Sequence, residues 1–375
     1  MQIILTMSEY LGKPIIFKLS SLAVTRETGG FHHAQINQIL ADIVTLKNDW
    51  SIVPIIVTSG AINAGRPDVL GADKHSDMAD LQACAAIGQA KLMNMFQKKL
   101  AVHDIKSAQI LLTHEDLRNK QRSLNIKNTL NKLLSRGILP VINENDSVSF
   151  DEISFGDNDQ LSAMICELVA APLLLMLTRA NGLYDRDPSE NNAQRFKVVA
   201  YDNALEQVKT LTKTTTGKGG MKTKLAAVRK LTPLGIDVII SSYAGKSPIL
   251  NALQGKAGTL FEHNPKPQSL KKRSWILTRA REHAAINIDK GAFNALKNNA
   301  SLLPIGVKSI VGPFRRGDSI PIKYGQRIVA YGISEYNAKE ADLIKQQQSQ
   351  DLSRVIKQVH SRVLVHKDNL ILKTD

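Results

Sequence analysis

Short, almost unbroken apolar runs alternate with longer segments of helical period along the first two thirds of the chain. That alternation restricts the possible folds more than any other feature. Ile15-Ile16-Phe17-Lys18-Leu19 is the first run, and Ile52–Val57, Gln109–Leu112, Leu139–Ile142, Leu173–Leu177 and Asp237–Ser241 follow. Between them, Ile36, Ile39, Leu40, Ile43 and Val44 recur at helical spacing. Leu81–Met95 is rich in Ala, Leu and Met, and Leu124–Leu134, Gln160–Val169 and Met221–Leu231 repeat the helical pattern. A proline in the second run predicts an irregular start there, and Gly137 stands where a helix C-terminal cap belongs. Strands apolar on both faces need cover on both faces. The expected fold is therefore α/β, a doubly wound, mostly parallel sheet with helices on either side.

The pattern changes at His263-Asn264-Pro265-Lys266-Pro267-Gln268-Ser269, which is followed by Lys271-Lys272-Arg273. Two prolines among polar residues and then a charge run read as a linker. Beyond it, Ala284–Ile288, Gly306–Val311, Ser319–Ile322, Arg327–Ile333 and Arg362–Val365 are short β-type runs, with helices expected near Ala292–Ala300 and Ala338–Gln348. The expected division is a first domain at 1–262, a linker at 263–273 and a small, mostly β domain at 274–375.

Charge follows the same division. Of the net +15, residues 271–375 hold +10, from 19 Lys+Arg against 9 Asp+Glu. Such a basic tail fits contact with nucleic acid, and it fits equally a solubilising surface. The longest apolar run, Leu168–Leu177, is ten residues, against the roughly 20 needed to span a bilayer. The N-terminus lacks the basic start and small-residue cleavage site of a secretory signal. A cytoplasmic protein with no membrane partner is expected. Cys84 and Cys166 stand in separate apolar contexts, which excludes a disulfide scaffold or a cysteine metal cluster.

Ligands of doubly wound sheets gather at the carboxyl ends of the strands, and four loops there are candidates. Lys18-Leu19-Ser20-Ser21 leaves the first strand, where a lysine can meet a phosphate as a point charge. Taken alone, it reads better as a solvated lysine beside a helix cap. Val57-Thr58-Ser59-Gly60-Ala61-Ile62 turns from strand to helix and directs amide groups towards an anion, as tight turns of this type often do. Asn143-Glu144-Asn145-Asp146, followed by Gly156-Asp157-Asn158-Asp159, is a set that can receive an ammonium group, hold Mg²⁺ through water or orient lysines. A solvated acidic loop is the ordinary alternative.

The fourth loop, Gly217-Lys218-Gly219-Gly220-Met221-Lys222-Thr223-Lys224, opens a helix and suits phosphate. It lacks Walker A spacing, and a flexible basic loop is the other reading. Lys224 is expected to face solvent there. Together, two lysine-bearing loops and one acidic loop describe phosphoryl transfer to a carboxylate. The absence of His and Cys from these loops disfavours nucleophilic catalysis.

Five strings carry a resemblance: VTSGAINAG (57–65), LPVINENDSV (139–148), GDNDQLSA (156–163), NGLYDRDP (181–188) and GKGGMKTKLAA (217–227). The chain resembles the glutamate 5-kinases of the amino acid kinase family. Its tail resembles a PUA domain through INIDKGAFNAL (286–296), SLLPIGVKSIVGPFRRGD (301–318) and GISEYNAKE (332–340). The resemblance implies ATP-dependent phosphorylation of the γ-carboxylate of L-glutamate, the first step of proline biosynthesis. Mg²⁺ would be held mainly by ATP, with no metal site in the protein itself. Lys18 and Lys224 would flank the transferring phosphoryl group, and Asp157 and Asp159 would orient the lysines or the substrate, with Asp159 favoured as the organiser. Ser59, Asp146 and Asn158 would hold glutamate, with Asn143 close by. Thr178, Arg179, Lys218, Gly219, Gly220, Met221, Lys222, Thr223 and Lys224, together with Lys18, would line the nucleotide site.

The resemblance also implies proline as a competing inhibitor, RNA as a partner of the tail, and a homo-oligomer. Two other readings stand beside it: a related kinase with another acceptor, and a weakened pseudokinase with an RNA-binding tail. Three positions depart from the family pattern. Ser20 replaces a glycine, and its Cβ is expected to obstruct phosphate or to force a strained φ. Arg179 replaces an aspartate, and Lys222 a small polar residue.

Overall fold

The computed structural model describes residues 7–71, 76–148, 157–187, 190–201, 220–265 and 284–372, with the backbone alone at 7, 8 and 157. The chain separates into two compact units, Met1–Gln268 and Ser269–Asp375.

In the first unit the strands are β1 (Pro14–Leu19), β2 (Val53–Val57), β3 (Ser107–Leu112), β4 (Leu139–Glu144), β5 (Leu173–Thr178), β6 (Val198–Val199), β7 (Asp237–Ser242) and β8 (Thr259–Phe261). They form one sheet in the order β3-β4-β2-β1-β5-β7-β8-β6. From β3 to β7 every pairing is parallel, and β8 runs antiparallel to β7. The helices are α1 (Ser21–Val24), α2 (His33–Asp49), α3 (Ala61–Val69), α4 (Met78–Ala101), α5 (His114–Arg118), α6 (Lys120–Ser135), α7 (Asp157–Val169), α8 (Gly220–Leu231) and α9 (Pro248–Leu253).

The apolar alternation of β1 feeds two separate cores. Ile15, Phe17 and Leu19 pack with Ile36, Ile39 and Ile43 of α2. Ile16 packs on the other face with Leu161 and Ile165 of α7 and Leu225 and Val228 of α8. Successive strand side chains point to opposite faces, so Lys18 is directed to the α7/α8 side. The proline expected to disturb the second strand is Pro54, and it costs little. Val57 and Ile56 are the residues of β2 registered with β4, so Pro54 lies ahead of that ladder. Gly137 takes a left-handed φ of 69°, and its N–H bonds to Leu134 O at 2.9 Å, closing α6 as expected.

Helices α3 and α4 cross with almost no side chain between them. A Cβ on Gly65 would stand 2.0 Å from Cys84 O, and one on Gly88 1.8 Å from Ala61 O. Elsewhere, the Tyr10 hydroxyl donates to Asp237 at 2.7 Å, and His263 N–H bonds to the other Asp237 oxygen at 2.9 Å. Burial and the Asp237 carboxylate push the Tyr10 phenol up. Both free cysteines are buried, and burial raises their thiols, which suits packing rather than reactivity.

The second unit carries a sheet ordered β10-β9-β11-β12-β13, from β9 (Ala285–Ile288), β10 (Val307–Val311), β11 (Ser319–Tyr324), β12 (Arg327–Ile333) and β13 (Leu370–Leu372). Its helices are α10 (Lys290–Lys297), α11 (Ala338–Ile344) and α12 (Leu352–Val355). The strand expected at Arg362–Val365 is not formed. Val365 makes an isolated bridge with Leu302, while Leu364 and Val365 turn into the core. The edge strand is instead the three-residue β13, too short to stand out in the sequence. Asn299 and Gln346, both at positive φ, follow α10 and α11 and end them earlier than apolar spacing suggested. Among the described residues, no helix is long and apolar enough to cross a membrane.

Candidate active site

The carboxyl ends of β1, β2, β4 and β5 lie side by side, and the residues leaving them form two linked groups. The first is ionic. Lys18, 4% exposed near the end of β1, sets its Nζ 2.6 Å from Oδ1 of Asp159, which is wholly buried in the first turn of α7. Oδ2 of the same carboxylate receives Lys224 Nζ at 3.1 Å and the Thr223 hydroxyl at 2.8 Å. Gly220 O holds the other side of both donors, at 3.0 Å from Lys224 Nζ and 3.0 Å from Thr223 Oγ1. Two ammonium groups from a strand and a helix far apart in sequence thus share one carboxylate.

The electrostatics follow from that count of charges. Burial alone would raise the Asp159 carboxyl, but Lys18 and Lys224 outweigh it and hold the group below the usual carboxylate range. For Lys18, burial is the largest effect and lowers its pKa; Asp159 opposes this and Lys224 adds to it. With both lysines charged, the cluster carries one net positive charge in a water-poor setting, where it acts most strongly on a developing anion.

The second group is a set of amides. Asn158, the residue before Asp159, donates Nδ2 to Ser59 Oγ at 2.9 Å and to Asn143 Oδ1 at 3.3 Å. Asn143 donates in turn to Gln89 Oε1 of α4 at 2.8 Å. Ser59 is set by the tight β2–α3 turn, in which Gly60 has φ 108° and a Cβ would approach Thr25 Oγ1 to 3.0 Å. Beside these residues lies a cleft of about 330 Å³, lined by Ala61, Gln89, Gln109, Glu144, Asn145 and Asp146 among others. It offers carboxylates, amides and a small-residue floor, suited to a compact zwitterion.

The structure therefore brings together Lys18, Lys224 and Asp159 in one cluster, and Ser59, Asn143 and Asn158 in the adjoining one, with Asp146 on the cleft wall. Thr223, expected at the nucleotide, is bonded to Asp159. Lys224 does not face solvent as expected; it is buried, because α8 packs Leu225 and Val228 into the core and carries its neighbour inward. Thr178 ends β5 half-buried, Met221 packs against the core, and Lys222 and Arg179 are exposed. The Asp157 side chain, Lys218 and Gly219 lie outside the described residues.

Ser20 is not strained. Its φ of −69° and ψ of 160° are ordinary extended backbone, and its N–H bonds to Leu177 O at 3.1 Å. Two residues escaped the sequence reading, Gln89 and Gln109. Nothing in the spacing of a helical glutamine or a strand glutamine marks it as facing a site. Among the described residues, no group of three or more His, Cys, Asp or Glu is arranged to hold a metal.

Residues 13–242 match the amino acid kinase family, and residues 284–356 match the PUA domain. Glutamate 5-kinase from Geobacter sp. (strain M21) is 37% identical over 366 residues, 96% of this chain and 97% of the relative. Glutamate 5-kinase from Trichlorobacter lovleyi is 38% identical over 369 residues, 96% of each chain. That from Carboxydothermus hydrogenoformans is 37% identical over 364 residues, 96% of this chain and 97% of the relative. With 96% of its length matched by these relatives, the chain belongs to the glutamate 5-kinases of the amino acid kinase family, with a C-terminal PUA domain.

Proposed function

We propose that this chain transfers the γ-phosphoryl group of ATP to the γ-carboxylate of L-glutamate, giving L-glutamyl 5-phosphate and ADP, the first step of proline biosynthesis. The observation that carries this reading is the sharing of Asp159 by Lys18 and Lys224 beside an amide-lined cleft. The acceptor carboxylate is already ionised at neutral pH, so the reaction needs no general base. Its oxygen attacks the γ-phosphorus as the bond to the ADP oxygen breaks. The protein's part is alignment and charge neutralisation.

In this reading Lys18 and Lys224 absorb charge on the moving phosphoryl, and Asp159 keeps both ammonium groups in place between turnovers. Ser59, Asn143, Asn158 and Asp146 hold glutamate. ATP enters with its own Mg²⁺, held by phosphate oxygens and water, as is usual for this ion. The half-buried Thr178 and the exposed Arg179 and Lys222 then stand on the nucleotide side. Incubating the purified protein with ATP, Mg²⁺, glutamate and hydroxylamine should yield the hydroxamate. Absence of product from folded, ATP-binding protein would defeat the reading, as would a stronger rate with aspartate.

Proline shares the α-carboxylate and an α-ammonium with glutamate, which supports competition for the same cleft. Added proline should raise the KM for glutamate and leave kcat unchanged. The basic tail, +10 over residues 271–375, and its match to the PUA domain support RNA as a partner. Such binding should weaken steeply with added salt.

A further inference from the structure

Gln109 and Gln89 of the cleft wall continue into Asn143 and Asn158 as one directed chain of amides, and its direction has a chemical consequence. Gln89 Nε2 donates to Gln109 Oε1 at 3.2 Å, which leaves Gln89 Oε1 to accept from Asn143 Nδ2 at 2.8 Å. Asn143 Oδ1 is then the end that accepts from Asn158 Nδ2, and Asn158 uses the same nitrogen to reach Ser59. The oxygen of Asn158 is left over. It is buried and, among the described residues, has no hydrogen-bond partner.

A buried amide acceptor without a donor is costly, so it is a place where a ligand donor is rewarded. Of the two substrates under the reading above, the α-ammonium of glutamate is the donor with a formal charge to offer. Reversing the chain would present Asn158 Nδ2 instead, a donor facing a cation. A side chain well back from the reacting atoms therefore selects which end of Asn158 the substrate meets.

We propose that Gln89 is a positioning residue for glutamate: its oxygen holds Asn143, and through it Asn158, in the orientation that offers Asn158 Oδ1 to the substrate ammonium. This inference rests on the glutamate kinase reading and adds a residue to it. The backbone at Gln89 is held by the preceding residue, Gly88, which meets the backbone of Ala61 at the α3/α4 crossing. Gln109 lies on β3 next to β4, where Leu111 is registered with Asn143.

The test uses the full-length enzyme and three variants at Gln89. Gln89→Glu carries acceptors only, so it preserves the direction of the chain and should keep the KM for glutamate within about threefold. Gln89→Leu removes the hold, and Gln89→Lys offers donors only and reverses it. Both should raise the KM for glutamate about tenfold or more, with the KM for ATP unchanged and Gln89→Lys the worse. Glutarate, which lacks the ammonium, should lose far less, so the preference for glutamate over glutarate should shrink.

In an Asn158→Ala background, Gln89→Leu should have almost no further effect, because the residue acts through Asn158. Additive losses in the double variant, or equal losses for Glu, Leu and Lys, would overturn the proposal and make Gln89 a direct contact or a packing residue. A wild-type enzyme that forms no hydroxamate would instead defeat the underlying kinase reading. An active wild type with an unaffected Gln89→Lys variant defeats this inference alone.

Discussion

Lys18 and Lys224 grip opposite oxygens of one buried carboxylate, at 2.6 Å and 3.1 Å from Asp159. Each lysine is the other's electrostatic opponent, and Asp159 is the counter-ion they share. The arrangement separates catalysis from stability in a measurable way. Removing one lysine leaves the carboxylate paired with the other, so the fold survives while the net positive charge of the cluster is gone.

Lys224→Ala should therefore lower kcat by about 10²–10³-fold, the scale lost with one charge-stabilising donor. The KM for glutamate should change little. Circular dichroism and thermal melting should report a folded protein, since Thr223 and Lys18 still satisfy Asp159. A rate within threefold of wild type would remove Lys224 from the mechanism.

Asp159→Asn should behave differently, because it strips two buried ammonium groups of their counter-ion. Breaking a buried pair from one side costs about 3–5 kcal/mol. The pH dependence has a definite sign. The folded-state pKa of Asp159 is lowered, so its contribution is present above the unfolded carboxylate value of about 3.9 and is lost as pH falls through the folded value. The melting-temperature gap between wild type and Asp159→Asn should be wide at pH 7 and close progressively below pH 4. A gap independent of pH would show that the carboxylate charge is not what stabilises the cluster.

Ser20→Gly tests the departure from the family pattern at the first loop. The serine already sits at φ −69°, so glycine relieves no backbone strain. Its hydroxyl is buried without a partner among the described residues, so the loss of that group costs none of the hydrogen bonds described. Turnover and the KM for ATP should both stay within about threefold. A tenfold rise in kcat would mean that the Cβ obstructs the phosphates.

Most of this architecture was legible because β1, β5 and the first four residues of β4 are so nearly apolar that a parallel, doubly covered sheet is the fold that buries them. Lys18 was visible for the same reason, as the charge in an otherwise apolar run. Its partner could be named only through the family resemblance, because pairing between β1 and α7 is a product of topology rather than spacing. Lys224 looked solvent-facing since a Gly-Lys-rich loop precedes it, yet α8 turns it inward by the periodicity of Leu225 and Val228. Gln89 gave no signal at all. Its role comes from α4 lying against α3, and that crossing depends on glycines whose spacing, Gly65 and Gly88, has no sequence period.

That crossing supports the last prediction. At Gly88 an added methyl group would stand 1.8 Å from the carbonyl oxygen of Ala61, and backbone cannot rotate away as a side chain can. Gly88→Ala must push α4 off α3, with an overpacking cost of about 1–3 kcal/mol. The displacement falls on two functional positions at once. Ala61 follows Ser59 and Gly60 in the β2–α3 turn, and Gln89 is the residue next to Gly88. Thermal melting should show a loss of stability, and steady-state kinetics should show a raised KM for glutamate with the KM for ATP nearly unchanged. The lysine cluster lies on β1, α7 and α8, elements that do not take part in the crossing. A variant that loses kcat and ATP affinity as much as glutamate affinity would show that the two groups are not mechanically separate.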